Sequence, residues 1–194
     1  MANKKIGITG HNGFLGNHIK NQIQYQFKDF ELLDFKRSFF EDQKQLSIFV
    51  NSCDVIIHLA GLNRHNSEQE ITNTNIKLAE VLGASLTKNN FKGSLIFSSS
   101  LKENENTPYG KSKKKAGEIL AQVSNSVGFS FIKLIIPNIF GPFGKPYYNS
   151  FITTFSHQLI KGQAPEIILD ASIPLIYVDS VVRHIMDAIK FEGI

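Results

Sequence analysis

Apolar residues follow two different spacings along this chain. Short apolar runs, most of them rich in β-branched or aromatic residues, fall at 5–9, 31–35, 55–60, 93–98 and 131–136, and between them apolar positions recur three and four residues apart. An unbroken run suits a strand covered on both faces, and the wider spacing is the apolar stripe of a helix. Helices are therefore expected from near Phe14, over about 41–51, over about 70–89 and from Tyr109 to about 123, the last stopping before Gly128. This order predicts an α/β fold, a Rossmann-like doubly wound parallel sheet with right-handed crossovers. The segment Ile136-Pro137-Asn138-Ile139-Phe140-Gly141-Pro142-Phe143-Gly144-Lys145-Pro146 ends the alternation. Beyond it a helix over 149–161, a short strand near 173–178 and a helix from Asp179 are expected, with no further strand before Ile194.

Several segments carry candidate chemistry. Thr9-Gly10-x-x-Gly13-x-x-Gly16 joins the first strand to the first helix, the context in which glycines admit a dinucleotide pyrophosphate to a helix N-terminus. Gly10 is expected to make the bend, Gly13 to let the backbone approach the phosphates and Gly16 to let helix meet strand, with Asn12, Phe14 and Leu15 in the same cofactor-binding turn. Asp34 lies 18 residues beyond Gly16, where an acid binds the adenosine ribose and favours NAD. Lys36 and Arg37 follow at once and suit a 2′-phosphate, so NADP(H) is slightly favoured over NAD(H). Leu59, Ala60 and Gly61 end the third strand with space for the nicotinamide ribose. His58 reads as a hydrogen-bonded core residue, and Asn75, a poor helix former inside a helix, points to a side-chain role against the sheet.

Ser98, Ser99 and Ser100 close the fourth strand at the edge where open α/β sheets bind ligands. Tyr109 and Lys113, four apart, share one face of the following helix. A tyrosine beside an ammonium can exchange a proton with an alcohol or ketone, and Lys113 together with an oxidised nicotinamide is expected to bring the Tyr109 pKa toward neutrality. Ser100, Tyr109 and Lys113 are the candidate catalytic set, with Ser98, Tyr109 and Lys113 also counted against the cofactor.

Composition narrows the field. The 194 residues suit one globular unit, here read as a dinucleotide-binding part at 1–140 and a partial substrate-binding region at 141–194. The net charge of +4 is spread thinly apart from Lys111 and Lys113 to Lys115, which argues against a nucleic-acid partner. No apolar stretch of about 18 residues and no signal-peptide pattern is present, so no membrane partner and a cytoplasmic location are expected. One cysteine, Cys53, rules out an internal disulfide, and six scattered histidines show no metal-ligand spacing.

Together the glycine turn, Asp54-x-x-x-His58-Leu59-Ala60-Gly61, Phe97-Ser98-Ser99-Ser100, Tyr109-Gly110-Lys111-Ser112-Lys113 and Pro137-Asn138-Ile139-Phe140-Gly141-Pro142 resemble the extended short-chain dehydrogenase/reductases, the NAD-dependent epimerase/dehydratase family. The resemblance implies that Ser100 orients the reacting oxygen, Tyr109 is the acid/base, and Lys113 holds the nicotinamide ribose. It also places Pro137 and Asn138 between nicotinamide and substrate. His58-Leu59-Ala60-Gly61-Leu62-Asn63-Arg64, Pro108-Tyr109-Gly110 and Lys145-Pro146-Tyr147-Tyr148-Asn149-Ser150 more narrowly resemble capsular-polysaccharide reductases that act on a UDP-linked 2-acetamido-2,6-dideoxy-4-ketohexose with NADPH. Those reductases continue into more substrate-binding chain and a cupin domain, so this chain reads as a shortened version. Two arginines common in the family are replaced by Ile135 and by Ile173-Pro174. Diphosphate binding then falls to Arg64 or Lys145, beside Ser100, Asn138 and Asn149 as substrate contacts, unless the substrate carries no diphosphate. The expected activity is reduction of a nucleotide-activated 4-keto sugar. A 4-epimerase or 4,6-dehydratase, and a cofactor-binding module without turnover, are the alternatives. Phe151, Phe155 and Leu159 recur at helical spacing and either complete the monomer or pair two protomers as a homodimer.

Overall fold

The computed structural model describes residues 3–167 and 170–190; residues 191–194, counted above with the substrate region, lie outside them. The chain forms β1 (Lys4–Thr9), α1 (Phe14–Gln26), β2 (Phe30–Leu33), α2 (Gln43–Ser52), β3 (Val55–His58), α3 (Glu68–Lys88), β4 (Ser94–Ser100), α4 (Pro108–Val127) and β5 (Ser130–Ile136). β6 (Asn138–Phe140), α5 (Phe151–Ile160), β7 (Leu175–Tyr177) and α6 (Val178–Lys190) follow. The first five strands form the parallel sheet that the sequence pattern predicts, and their order in it is β2-β1-β3-β4-β5.

Strand parity sorts the core into two layers. Ile6, Ile8, Val55, Ile57 and Ile96 point to one face, where Ile19 and Ile23 of α1 meet Val181, Val182, Ile185 and Ile189 of α6. Ile56, Leu95 and Phe97 point to the other, against Leu46 and Phe49 of α2, Leu82 and Leu86 of α3, and Ala116 and Leu120 of α4. Each of these buried side chains larger than alanine contributes roughly 1.5–3 kcal/mol of transfer free energy. Residues 178–189, assigned from sequence to the substrate region, thus complete the second face of the sheet.

Three local expectations are corrected. β2 ends at Leu33, so Asp34 lies one residue past it, and Arg37–Phe40 make a short 3-10 turn. The turn forms because Phe35 draws in Phe39, Phe40 and Phe49, with ring centroids within 5.4 Å. α2 starts only at Gln43, where the Asp42 carboxylate accepts from the N–H groups of Lys44 and Gln45. Finally, the proline-rich segment hides a strand: Pro137 ends the pairing of β5, and β6 instead pairs in parallel with β7 in a separate two-stranded sheet.

Candidate active site

The parallel register sets Thr9 beside His58, His58 beside Phe97, and Ser100 beside Ile136, so the carboxyl ends of β1, β3, β4 and β5 share one edge. The glycine turn opens there. Gly10 holds φ +79°, and a Cβ on it would come within 2.8 Å of the Ala60 nitrogen. A Cβ on Gly16 would run into the Gly10 carbonyl oxygen. Gly13 begins α1 without a side-chain cap, which leaves the first-turn N–H groups free for an anion. This cradle fits a dinucleotide pyrophosphate. Phe14 and Leu15 form that first turn, and the Asn12 carbonyl accepts from the Asn17 amide at 3.1 Å. Asp34, Lys36 and Arg37 stand exposed together past β2.

β1 and β3 are joined at this edge by a buried pair. Thr9 Oγ1 lies 2.7 Å from His58 Nδ1 and accepts from the Ala60 N–H at 3.3 Å. Burial pushes the His58 imidazole down to about 3, with Lys113 adding to the shift. His58 is therefore a neutral core residue, and Ser98 donates to its carbonyl at 3.3 Å.

Asn75 of α3 organises the loop after β3. Its Oδ1 accepts from the Leu62 N–H at 2.6 Å, and its Nδ2 donates to the Leu62 carbonyl and to Ser112 Oγ, both at 2.9 Å. The loop so held brings Gly61 next to Lys113: a Cβ on Gly61 would sit 4.0 Å from Lys113 Nζ. The expected role against the sheet is instead one against a loop and α4.

α4 carries the two candidate acid/base residues, Tyr109 and Lys113. Thr107 caps it by accepting from the Gly110 N–H at 3.1 Å, and Pro108 opens its first turn. Lys113 is buried with Nζ 4.3 Å from the centre of the Phe97 ring, and burial lowers its pKa to about 8 while Glu103 opposes the shift. Burial raises Tyr109 above its ordinary value. The expectation that Lys113 brings Tyr109 toward neutrality is not met in the chain alone, where desolvation sets the direction. Ser100 Oγ accepts from the Lys102 N–H at 3.3 Å, so its own proton remains available to a ligand.

The glutamates of Leu101-Lys102-Glu103-Asn104-Glu105 show in sequence no acid pair for a dehydratase, but sequence did not reveal that Glu103 is buried, accepts from Ser99 Oγ, and pairs with Lys133 Nζ at 2.9 Å. Burial works to raise its pKa, but the Ser99 hydroxyl and Lys133 outweigh that and hold it below the usual carboxylate range. Only packing reveals it, since nothing local marks an acid in a loop for burial. Asn75 did carry a signal, standing between Ile71 and Ala79 on the buried stripe of α3.

Pro137 and Asn138 follow Ile136 and so lie beside Ser100. Farther out, Arg64 and Lys145 flank one ring: the guanidinium carbon and Nζ each lie 5.5 Å from the Tyr148 centroid. Tyr148 donates to Asn63 Oδ1 at 2.9 Å, and Arg64 reaches the Tyr147 carbonyl at 3.5 Å. The structure thus brings the two candidate cations together, with Asn149 exposed beside them in the chain. A cavity of about 770 Å³, lined by Asp54, Lys92, Gly93 and Ser130 among others, lies at the opposite edge of the sheet. Sites in open α/β sheets form at the carboxyl edge, so that groove is not taken as the active site.

A glycine cradle, a serine-ended strand and a Tyr-x-x-x-Lys helix on one parallel sheet define a dinucleotide-dependent enzyme class. The chain belongs to the NAD dependent epimerase/dehydratase family, which it matches over residues 6–192. Among characterised relatives, it is 32% identical over 183 residues to the UDP-2-acetamido-2,6-beta-L-arabino-hexul-4-ose reductase of Pseudomonas aeruginosa, covering 94% of this chain and 48% of that protein. The chain therefore spans about half the length of that relative. Among solved structures it resembles the capsular polysaccharide assembling protein CapF of Staphylococcus aureus, with TM-score 0.80, 28% identity, and 97% and 51% of the two chains covered. The fold also matches RMD of Pseudomonas aeruginosa, solved with NADPH, with TM-score 0.83, 20% identity, and 96% and 74% covered.

Proposed function

We propose that this chain is the catalytic part of a reductase that converts a nucleotide-activated 4-keto-deoxysugar to the 4-hydroxy sugar for polysaccharide precursor synthesis. The observation that carries the reading is the pairing on α4 of a half-buried Tyr109 with a buried Lys113, set over the sheet edge that holds both the glycine cradle and Ser100. The relative from Pseudomonas aeruginosa, a 4-keto-hexulose reductase, supports the substrate class.

A bound nicotinamide would supply hydride to C4. The chain's own residues do the rest. The first turn of α1 takes the pyrophosphate, and Lys113, beside Gly61, holds the nicotinamide ribose. The Ser100 hydroxyl orients the carbonyl oxygen, and the Tyr109 hydroxyl, kept protonated by burial, gives its proton to the forming alkoxide. Arg64 and Lys145 take the diphosphate. Glu103 is engaged by Ser99 and Lys133, which withholds it from the acid/base work a dehydratase needs.

Lys36 and Arg37 favour NADP(H). Calorimetry with both cofactors is expected to show NADP(H) bound at least as tightly as NAD(H); a tenfold preference for NAD(H), about 1.4 kcal/mol, would mean that Asp34 dominates. Self-association through the apolar surface of α5 belongs to the same reading.

Tyr109→Phe tests the chemistry. The ring stays, so folding and cofactor binding should persist while reduction of the UDP-linked 4-keto sugar falls by about two to four orders of magnitude. Most activity remaining would remove Tyr109 from its role. Turnover without net cofactor consumption would point to an epimerase or dehydratase, and cofactor binding without turnover to a part that needs the rest of a longer enzyme.

A further inference from the structure

Two charged side chains are buried among the described residues, Glu103 and Lys113, and they carry opposite signs. They lie on neighbouring elements: Glu103 on the short turn that follows β4, Lys113 on α4, which packs closely over that turn. Gly110 marks how close, since a Cβ there would run into the Lys102 carbonyl.

Glu103 is held from two sides. Ser99, on β4, donates its hydroxyl to Oε2, and Lys133, on β5, places Nζ 2.9 Å from Oε1. Lys133 reaches it by crossing α4 at Gly117, where a Cβ would lie 3.0 Å from Lys133 Cδ and 3.4 Å from the Phe97 ring. That same ring carries Lys113 Nζ at 4.3 Å. Glu103, Lys133, Phe97 and Lys113 therefore form one continuous cluster across β4, β5 and α4.

We propose that Glu103 is a positioning residue for Lys113: a fixed buried carboxylate, tied down by Ser99 and Lys133, that keeps the Lys113 ammonium charged and in place beneath the cofactor ribose. The proposal rests on the reading of Lys113 as the ribose-holding cation. Isolated ammonium groups in apolar surroundings lose their proton or move to solvent, and a fixed counter-charge prevents both. The Phe97 ring of β4 lies against Lys113 Nζ, and the titratable groups that interact with its charge are Glu103 on the turn after β4 and neutral His58 on β3. Glu103 in turn faces Lys133 and Lys114. The directions agree, since Glu103 opposes the burial-driven fall of the Lys113 pKa to about 8. Lys133 is partly exposed and can be altered without opening the core.

The test reads Lys113 directly, by NMR titration of 15N-lysine-labelled full chain, with fluorescence titration of NADPH across the same pH range. In Glu103→Gln the Lys113 midpoint should fall by about half a pH unit or more, and the alkaline loss of NADPH binding should move down with it. Glu103→Asp should restore most of the shift, and Lys133→Met, which removes a competing cation, should move the midpoint up. Opposite signs are not produced by loss of packing alone. A Lys113 midpoint unchanged in both Glu103→Gln and Lys133→Met overturns the proposal. If Glu103→Gln does not fold, Lys133→Met decides alone, an upward shift supporting it and no shift refuting it. Shifts as expected in a chain that reduces no keto sugar would leave this assignment standing and sink the reductase reading instead.

Discussion

Asn75 satisfies both backbone polar groups of Leu62 and the hydroxyl of Ser112 with one side chain. Asn75→Leu keeps the volume and removes all three bonds. It should cost about 2 kcal/mol or more in urea unfolding and weaken cofactor binding, because the loop it holds brings Gly61 to Lys113; an unchanged midpoint would show that the loop holds itself. His58 makes a second prediction. In the fold it stays neutral down to about 3, whereas unfolded it titrates near 6.5, so between these pH values the unfolded state holds the extra proton. Stability therefore falls as pH drops from 6.5 toward 3. His58→Phe should lose less stability than wild type between pH 7 and pH 4, and equal losses would show that other groups set the acid limb. Of these residues the sequence marked Asn75 and His58 through their odd places in apolar stripes, but it could not mark Glu103, whose burial depends on Lys133 arriving from another strand.

At the scale of elements, α4 shows what local rules can and cannot specify. Its N-cap Thr107, its Pro108 and its stop at Gly128 follow from the chain itself. Gly128 sits at φ +82° with nothing near its would-be Cβ, so Gly128→Ala carries a backbone cost only, about 1 kcal/mol by denaturant titration. A much larger loss would reveal packing there. The central strands β1, β3 and β4 were legible because covered strands are short apolar runs, and the edge strands β2 and β5 because apolar residues still dominate them between helical stretches. β6 was not, because three residues behind a proline carry too short a pattern to register and its pairing partner lies far along the chain. The turn at Arg37–Phe40 escaped for a related reason: it forms so that phenylalanines can cluster, a demand of packing and not of spacing.

The whole molecule is unevenly covered. α6 seals one face of the sheet, yet α5 buries no residue, and Leu159 and Ile160 are 64% and 82% exposed. Apolar surface of this kind marks an interface. Light scattering should therefore show concentration-dependent self-association, diminished in the Leu159→Gln, Ile160→Gln double variant with the fold unchanged by circular dichroism; a strict monomer at every concentration would contradict this. Tyr177 of β7 runs straight into Val178, fully buried at the head of α6, and only Pro137 separates β5 from β6. The small sheet is thus bolted at both ends to the nucleotide-binding body, without slack, and strain on it passes directly into α6 and α1. The strap at 141–150 is instead held to that body by side chains, by His18 at the Pro142 carbonyl, by Tyr148 at Asn63 and by Arg64 at the Tyr147 carbonyl, so any change in it is read first at those three ties.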